Sequence, residues 1–469
     1  MSLLEKLYLR LPGFIQDAVV DWKGRSLGAN RYGPEFFRLL AEAEARAEWS
    51  VGRLEEYRAQ RLSGHFEHAQ HSPFWAEAFQ RHGVNIKSSR PFDELAKLPV
   101  LTKAEVRLHS ARIQNPSFSG HRLVPVSTSG TTGTGLVFRE TEESERQRWA
   151  VWWRYRRRLG IEFGTLCGLF GGKAIVPISQ VSPPYWRHSR ATQQVIFSPY
   201  HLSDRTAAAY MEKICAEGIT WLHGYPSTLT MLATYVAESK ITPPGCLRII
   251  TTGAENLSEH QRSIISRGLR APVFEHYGLA ESSANFSQEP DGLMYVDEDF
   301  SAVEFLPRGE SDQRAIVGTN WHNPAFPLFR YDCGDLGRLA EGSQLTSAGM
   351  RSRQVIAVDG RQEDVLVLSN GVRLGRLDHI FKNMVNVREA QIAQSTAGQA
   401  VFRIVKGAAY GEADERQLRG EIEMRLGAYC RFEIEYVPTL PRTKSGKLRL
   451  VVSTLVGQGI APPSSPSAS

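Results

Sequence analysis

Between Ser127 and Gly135 the chain reads S-T-S-G-T-T-G-T-G, directly after the apolar run Leu123 to Val126. Glycines let backbone N–H groups close on a ligand, and hydroxyls add short rotatable donors. Such a stretch can surround a phosphate, as nests of backbone N–H groups do elsewhere. A P-loop needs a lysine directly after its second conserved glycine. Counted from Gly130 that lysine would fall where the chain has Leu136, so a Walker loop is excluded. Alone, the stretch reads as a phosphate loop or as a flexible Ser/Thr/Gly linker, and it specifies no reaction.

Five later motifs follow in order. T-T-G-A-E occupies Thr251 to Glu255, E-H-Y-G-L-A-E spans Glu275 to Glu281, and P-L-F-R-Y-D-C-G-D-L-G runs from Pro327 to Gly337. D-G-R-Q-E-D-V-L-V-L-S-N-G extends from Asp359 to Gly371, and P-R-T-K-S-G-K-L-R from Pro441 to Arg449. Each alone could be turn chemistry. Their joint order resembles the adenylate-forming superfamily of acyl-CoA synthetases, peptide-synthetase adenylation domains and luciferases. Within it the phenylacetate–CoA ligase branch, with its CapK-like members associated with polysaccharide biosynthesis, is the most similar. R-Y-G-P-E-F (Arg31 to Phe36) and H-S-P-F-W (His71 to Trp75) extend the resemblance to the N-terminal part.

The resemblance implies two steps in a cleft between a large and a small domain. A carboxylate attacks the α-phosphorus of ATP, leaving an acyl-adenylate and pyrophosphate. A thiol, usually that of CoA, then displaces AMP after the small domain rotates. A carboxylate with a pKa near ~4 is already ionised, so no general base is needed. The obstacle is charge on the phosphates, which preorganised donors and cations relieve.

On this resemblance Thr128, Ser129, Gly130, Thr131, Thr132 and Gly133 would hold the β- and γ-phosphates, with Thr131 also catalytic. Lys447 matches the catalytic lysine that bridges substrate carboxylate and α-phosphate. Asp335 would accept the ribose hydroxyls, and Arg361 would contact ribose or phosphate. Gly253, Ala254 and Glu255 would line the adenine, with Tyr277 stacked on it and His276 beside it. Glu281, also expected to be catalytic, would help hold Mg²⁺, which suits oxygen ligands shared with phosphates. Glu363 stands at the hinge. The acid pocket is expected around Trp152, His223, Tyr225, Gly253 and Gly278, whose aromatic bulk suits an aryl or medium-sized acid.

The chain departs from the pattern at Ala280, where relatives often carry a hydroxyl, and at Gly135, Cys333 and Glu363. Ser282 to Tyr295 contains neither Cys nor His, so zinc is not expected. Three functions follow: acyl-CoA formation, transfer of the acyl group to a carrier protein or to a sugar amine or hydroxyl, and non-catalytic nucleotide binding. A homodimer is expected by family analogy alone.

The elements that would position these residues are legible as periodicity. Helices are expected over Phe36 to Tyr57 and about Glu56 to Arg81. Another runs from Glu140 to Leu159 and bears Trp149, Trp152 and Trp153, read as core with ligand stacking platforms as the rival. Its Arg154, Arg156, Arg157 and Arg158 read as a solvated face, with docking of a phosphate-bearing cosubstrate as the rival. From Leu166 to Arg267 strands alternate with helices, which predicts an α/β sandwich around largely parallel sheets. Residues 301 to 360 are β-rich. Beyond Arg361 come a strand from Val365, a helix over Gly375 to Met384, and a strand–helix–strand run to Tyr436, an α+β unit. The fold class expected is thus α/β, with domains at 1–360 and 361–455 and a tail at 456–469 that reads as disordered.

A chain of 469 residues exceeds one core, which agrees with several domains. The net charge of +6 favours anionic partners, but basic residues are mixed with acidic ones, so no nucleic-acid role is read. Five scattered cysteines point to a reducing compartment, and no apolar run suits a signal or a span, so a cytoplasmic protein is expected. His65, His68 and His71 lack neighbouring carboxylates and read as structural rather than metal-binding.

Overall fold

The computed structural model describes residues 7–128, 136–307, 313–343, 353–359, 366–374, 377–381, 384, 386–407, 409–441 and 449–455. Four helices come first: α1 (Gly13–Arg31), α2 (Pro34–Arg46), α3 (Val51–Ala69) and α4 (Pro73–Arg81). The two long helices expected here are interrupted at 47–50 and 70–72. Pro73, fixed at the right φ and lacking a donor, starts a new helix rather than continuing the old one. A hairpin follows, β1 (Leu123–Ser127) against β2 (Val137–Thr141), with Ser127 opposite Val137.

Helix α5 (Glu142–Arg158) starts where the Thr141 hydroxyl accepts the Ser144 N–H, and Glu142, Glu143 and Glu145 fill its first turn. Both features favour a helix start, and the arginines of its last turn complement the dipole at the other end.

Thereafter come β3 (Cys167–Phe170), β4 (Trp186–Ser189), β5 (Gln194–Phe197), α6 (Ala207–Ala216), β6 (Trp221–Gly224), α7 (Pro226–Glu238), β7 (Ile249–Gly253), α8 (Glu259–Leu269) and β8 (Val273–Gly278). The β-rich part supplies β9 (Asn285–Gln288), β10 (Met294–Val296), β11 (Ala302–Pro307), β12 (Arg314–Thr319), β13 (Tyr331–Leu339) and β14 (Gln354–Asp359). All are joined in one sheet of 13 strands, in the order β11-β12-β13-β14-β10-β9-β8-β7-β6-β3-β5-β4, with Leu101–Thr102 beside β13. The α/β class holds. The strands form one continuous sheet, parallel through β5-β3-β6-β7-β8 and where Leu101–Thr102 meets β13, and antiparallel between the other neighbours.

Side chains on the parallel strands alternate between two cores, as period two dictates. Leu222, Ile250 and Val273 face helices α6–α8 and their Leu229, Leu232 and Ile265. Cys167 and Trp221 face α2 and α5, packing with Phe36, Leu39, Ala150 and Trp153. The antiparallel strands enclose another core of Phe286, Val296, Val303, Ile316 and Val355. Gly318 is required there, because a Cβ would lie 1.9 Å from the Ser283 carbonyl oxygen.

The last unit has its own sheet, β17-β16-β15-β18, built from β15 (Val387–Gln394), β16 (Gln399–Lys406), β17 (Arg431–Tyr436) and β18 (Val451–Ser453). Helix α9 (Glu412–Leu426) covers it, and Phe381, Ile392, Phe402, Leu418 and Ile422 form its core. The helix expected over Gly375 to Met384 is not found. Among the described residues that stretch holds only the 3₁₀ turn Leu377–Ile380. No described helix is long and apolar enough to cross a membrane. The five cysteines are unpaired.

Candidate active site

The carboxyl ends of parallel strands are where open α/β sheets bind ligands, and three expected site segments lie there. Gly224 and Tyr225 end β6, Gly253 ends β7, and His276 to Gly278 end β8. Gly253 and His276 are register partners.

On the α5 side, Trp152, His276 and Asn285 form one cluster. The Trp152 indole N–H and the His276 Nε2 each lie 2.9 Å from the Asn285 Oδ1. Asn285 is itself fixed by donating to Asp297 at 2.6 Å. Gly278 completes the cluster, since a Cβ there would come within 2.8 Å of the His276 ring and 2.9 Å of the Asn285 amide oxygen. His223 is held differently: its Nδ1 lies 2.9 Å from the Thr251 hydroxyl, which also accepts the Trp221 indole N–H at 2.8 Å. Both imidazoles are densely surrounded yet keep an accessible edge. Burial, with the nearby Arg156 charge, pushes each down to about 3, so both are neutral at physiological pH.

The arginines of α5 are not a uniform solvated face. Arg157 is exposed, whereas Arg154 is 1% exposed and holds Asp297 and Asp299. Arg156 is buried among Trp149, Trp153 and Trp221. Trp153 is core, as expected; Trp149 and Trp152 are only half-buried.

On the expected nucleotide side, the Tyr277 hydroxyl donates to Asp335 Oδ2 at 3.0 Å, joining two motifs 58 residues apart. Tyr277 stacks on Phe286 with ring centres 4.8 Å apart. Burial and then the Asp335 charge raise its phenol well above the usual range. Cys333 lies 3.6 Å from the same hydroxyl. Glu255 is committed within the protein. Its carboxylate accepts the Ser227 N–H and hydroxyl, both at 3.0 Å, tying T-T-G-A-E to the first turn of α7. Ala254, Ser282 and Arg330 hold positive φ of 65°, 57° and 46°. Left-handed non-glycine residues are costly and cluster at functional sites, and all three fall in or beside the motifs.

Glu281 is 5% exposed and accepts the Tyr331 hydroxyl at 3.0 Å. Its other oxygen has no protein donor among the described residues and is not sealed. One open carboxylate oxygen fits Mg²⁺, which takes one or two carboxylates plus phosphate oxygens. No cluster of three metal-binding side chains occurs among the described residues; His65 instead packs its ring on Phe329.

Thr128 closes the base of the glycine stretch. Its N–H donates to the Leu136 carbonyl at 2.9 Å and its hydroxyl oxygen accepts the Leu136 N–H at 2.8 Å. Ser129, Gly130, Thr131, Thr132, Gly133, Arg361, Glu363 and Lys447 lie outside the described residues.

Sequence reasoning missed the buried pair Arg148–Glu140. Arg148 makes two bonds of 2.6 Å to the carboxylate and also reaches Ser282 Oγ at 3.1 Å and the Ala280 carbonyl at 3.4 Å. It thus ties the strand leaving the glycine stretch to the Glu281 loop. In sequence Arg156 reads with its neighbours as a solvated face or a phosphate-docking patch, although its spacing after Trp149, Trp152 and Trp153 is that of one helical face.

Residues 368–454 match the CapK C-terminal domain. The chain is 23% identical to Protein CapK of Staphylococcus aureus over 464 residues, covering 97% of this chain and 100% of that protein. Similarity to CapK thus runs along nearly the whole of this chain. Phenylacetate-coenzyme A ligase of Escherichia coli K12 is 23% identical over 353 residues, covering 68% of this chain and 74% of that enzyme. Among solved structures, 2-hydroxyisobutyryl-CoA ligase with 2-HIB-AMP and CoA, in its thioesterification state, aligns with a TM-score of 0.54. The identity is 18%, covering 87% of this chain and 91% of that one. The same enzyme in its postadenylation state aligns at 0.50 and 16% identity, over 84% and 88%. The chain therefore has the mixed α/β fold of adenylate-forming CoA ligases.

Proposed function

We propose that this chain activates a carboxylic acid with ATP as an acyl-adenylate and passes the acyl group to the thiol of CoA. The observation that supports it most is the convergence of separate motifs at one sheet end, with Tyr277 bonded to Asp335 and Gly253 opposite His276. Similarity to phenylacetate-coenzyme A ligase supports the same reaction type.

In this reading residues 1–360 bind ATP and acid, and 361–455 form a lid that carries Lys447 and turns about Glu363. The residues following Thr128 receive the β- and γ-phosphates, and Asp335, oriented by Tyr277, accepts the ribose hydroxyls. Arg361 contacts ribose or phosphate. Ala254 and the backbone of Glu255 line the adenine. Glu281 holds Mg²⁺, which when bound offsets phosphate charge. Lys447 bridges the carboxylate and the α-phosphoryl group as negative charge builds. Trp152, His223, Tyr225, Gly253 and Gly278 line the acid, with His276 and Asn285 fixing Trp152. His223 and His276, pushed down to about 3, are neutral and only weakly basic, and this chemistry needs no base because the carboxylate is already ionised.

Carboxylate-dependent exchange of labelled pyrophosphate into ATP tests the reading. It should occur and should fall at least about 100-fold in Lys447→Ala, the usual scale for one transition-state donor. Exchange unchanged by that substitution would remove Lys447 from its role; no exchange with any acid would remove the reaction.

The match to the CapK C-terminal domain favours keeping a second acceptor in view. If adenylate forms and CoA does not speed AMP release, the acyl group goes to a carrier protein or to a sugar amine or hydroxyl instead.

A further inference from the structure

Arg156 is a buried cation that the proposed reaction does not use. Its neighbours on the same helix show what burial ordinarily demands. Arg148 is matched by Glu140 and Arg154 by Asp297 and Asp299. Arg156 is 9% exposed, yet among the described residues no carboxylate lies within ion-pair distance and no acceptor takes a hydrogen bond from it. Its guanidinium carbon instead lies 5.6, 4.9 and 5.2 Å from the ring centres of Trp149, Trp153 and Trp221. Ring faces attract a cation but offer it no acceptor and no countercharge, so the desolvation of the guanidinium is only partly offset.

A second donor lies beside it. Trp153 is 6% exposed, and its indole N–H is buried without an acceptor. The remaining positive group nearby, Arg31, is already paired with Glu145 at 2.5 Å. His223 and His276 are kept neutral by burial and by this charge, and an imidazole carries no countercharge for it.

The position in the sheet gives the direction. Trp221 starts β6 and Gly224 ends it, three residues nearer the expected reacting centre. At ~3.3 Å per residue, the backbone of Trp221, whose ring Arg156 packs against, lies about 10 Å behind that end. The reacting carboxylate belongs at the strand ends, so a group meeting Arg156 is at the far end of the acid.

We propose that Arg156, with the Trp153 N–H, receives a second anionic group at the distal end of the acid, so that the substrate is a dicarboxylic acid. This rests on the adenylation reading for the orientation of the acid, but the anion site itself can be tested without ATP. The proposal narrows the pocket from aromatic and medium-sized acids in general to those with a charge at both ends.

The test uses the intact protein and its tryptophan fluorescence, because three indoles surround the guanidinium. Suberate is titrated against octanoate, and terephthalate against para-toluate, first without ATP and then in pyrophosphate exchange. A bidentate charged contact predicts that the dianions bind roughly 10- to 100-fold more tightly than their partners. Arg156→Met should erase that ratio, Arg156→Lys should keep part of it, and Trp153→Phe should reduce it less. Equal affinities in the unaltered protein, or a preference that survives Arg156→Met, would overturn the proposal. If Arg156→Met does not fold, Arg156→Lys and Trp153→Phe decide: a ratio unchanged in both overturns it. Dianion preference in binding without any exchange keeps the site and rejects the adenylation reading. Exchange without dianion preference does the reverse.

Discussion

Replacing Arg148 by Met tests whether the glycine stretch and the Glu281 loop are coupled through one buried ion pair. The side chains of Arg148 and Glu140 are 10% and 1% exposed and meet at 2.6 Å. Removing the guanidinium strands a carboxylate and takes the donor from Ser282 Oγ and the Ala280 carbonyl. Stranding one member of a buried pair costs about 3–5 kcal/mol. The carboxylate has an escape, which is to take a proton. From a pKa near ~4.3, protonation at pH 7 costs about 1.36 kcal/mol for each of roughly 2.7 units, or ~3.7 kcal/mol. At pH 5 the same escape costs only about 1 kcal/mol. In the variant the folded pKa of Glu140 lies above its unfolded value, so the folded state is favoured at low pH and loses stability as pH rises. Burial already pushes this carboxyl upward. Urea unfolding followed by tryptophan fluorescence, at pH 5 and pH 7, should therefore show a loss of ~4 kcal/mol at pH 7 and about 1–2 at pH 5. Adding Glu140→Gln should recover part of the loss at pH 7 and little at pH 5. A penalty that is the same at both pH values, or below ~1 kcal/mol at pH 7, would refute the reasoning.

Tyr277→Phe keeps the ring on Phe286 and deletes the donor to Asp335. ATP affinity should fall about 10-fold, the scale of a hydrogen bond to a charged group, with a smaller effect on turnover; unchanged affinity in equilibrium binding would separate Asp335 from the nucleotide. His65 is 1% exposed, and burial, ahead of its neighbours' charges, pushes its imidazole down to about 3. The unfolded chain takes a proton below pH ~6.5 that the folded chain refuses. This residue's contribution is thus present above that pH and is lost as pH falls towards 3, by at most ~1.4 kcal/mol per pH unit. His65→Phe should flatten the acid limb of the urea midpoint between pH 6 and 4 by that slope; parallel limbs would contradict the assignment.

The order of βαβ units was legible because strands and helices from Leu166 to Arg267 carry clean periodicity. The site motifs were legible as residue types. What the sequence concealed was mostly long-range. Nothing local distinguishes a buried Arg154 from the exposed Arg157, since partners 143 and 145 residues away decide it. The commitment of Glu255 to Ser227, 28 residues back, is equally invisible. Strands β4 and β5 escaped notice because W-R-H-S and Q-V-I-F do not alternate in polarity, although their burial does. The helix expected over Gly375 to Met384 came from composition, in a segment whose described residues make only a tight turn.

The bond between Tyr277 and Asp335 also says something about the shape of the sheet. Their strands, β8 and β13, are four ladders apart along β8-β9-β10-β14-β13. In a flat sheet that is about 19 Å, at ~4.8 Å per ladder. A phenol and a carboxylate cannot bridge that gap, yet their oxygens meet at 3.0 Å. The antiparallel strands must therefore roll towards a barrel around Phe286, Ile316 and Val355. Its seam is closed by a side-chain latch rather than by backbone pairing. Such a seam can part and re-form around a ligand while every ladder hydrogen bond stays intact.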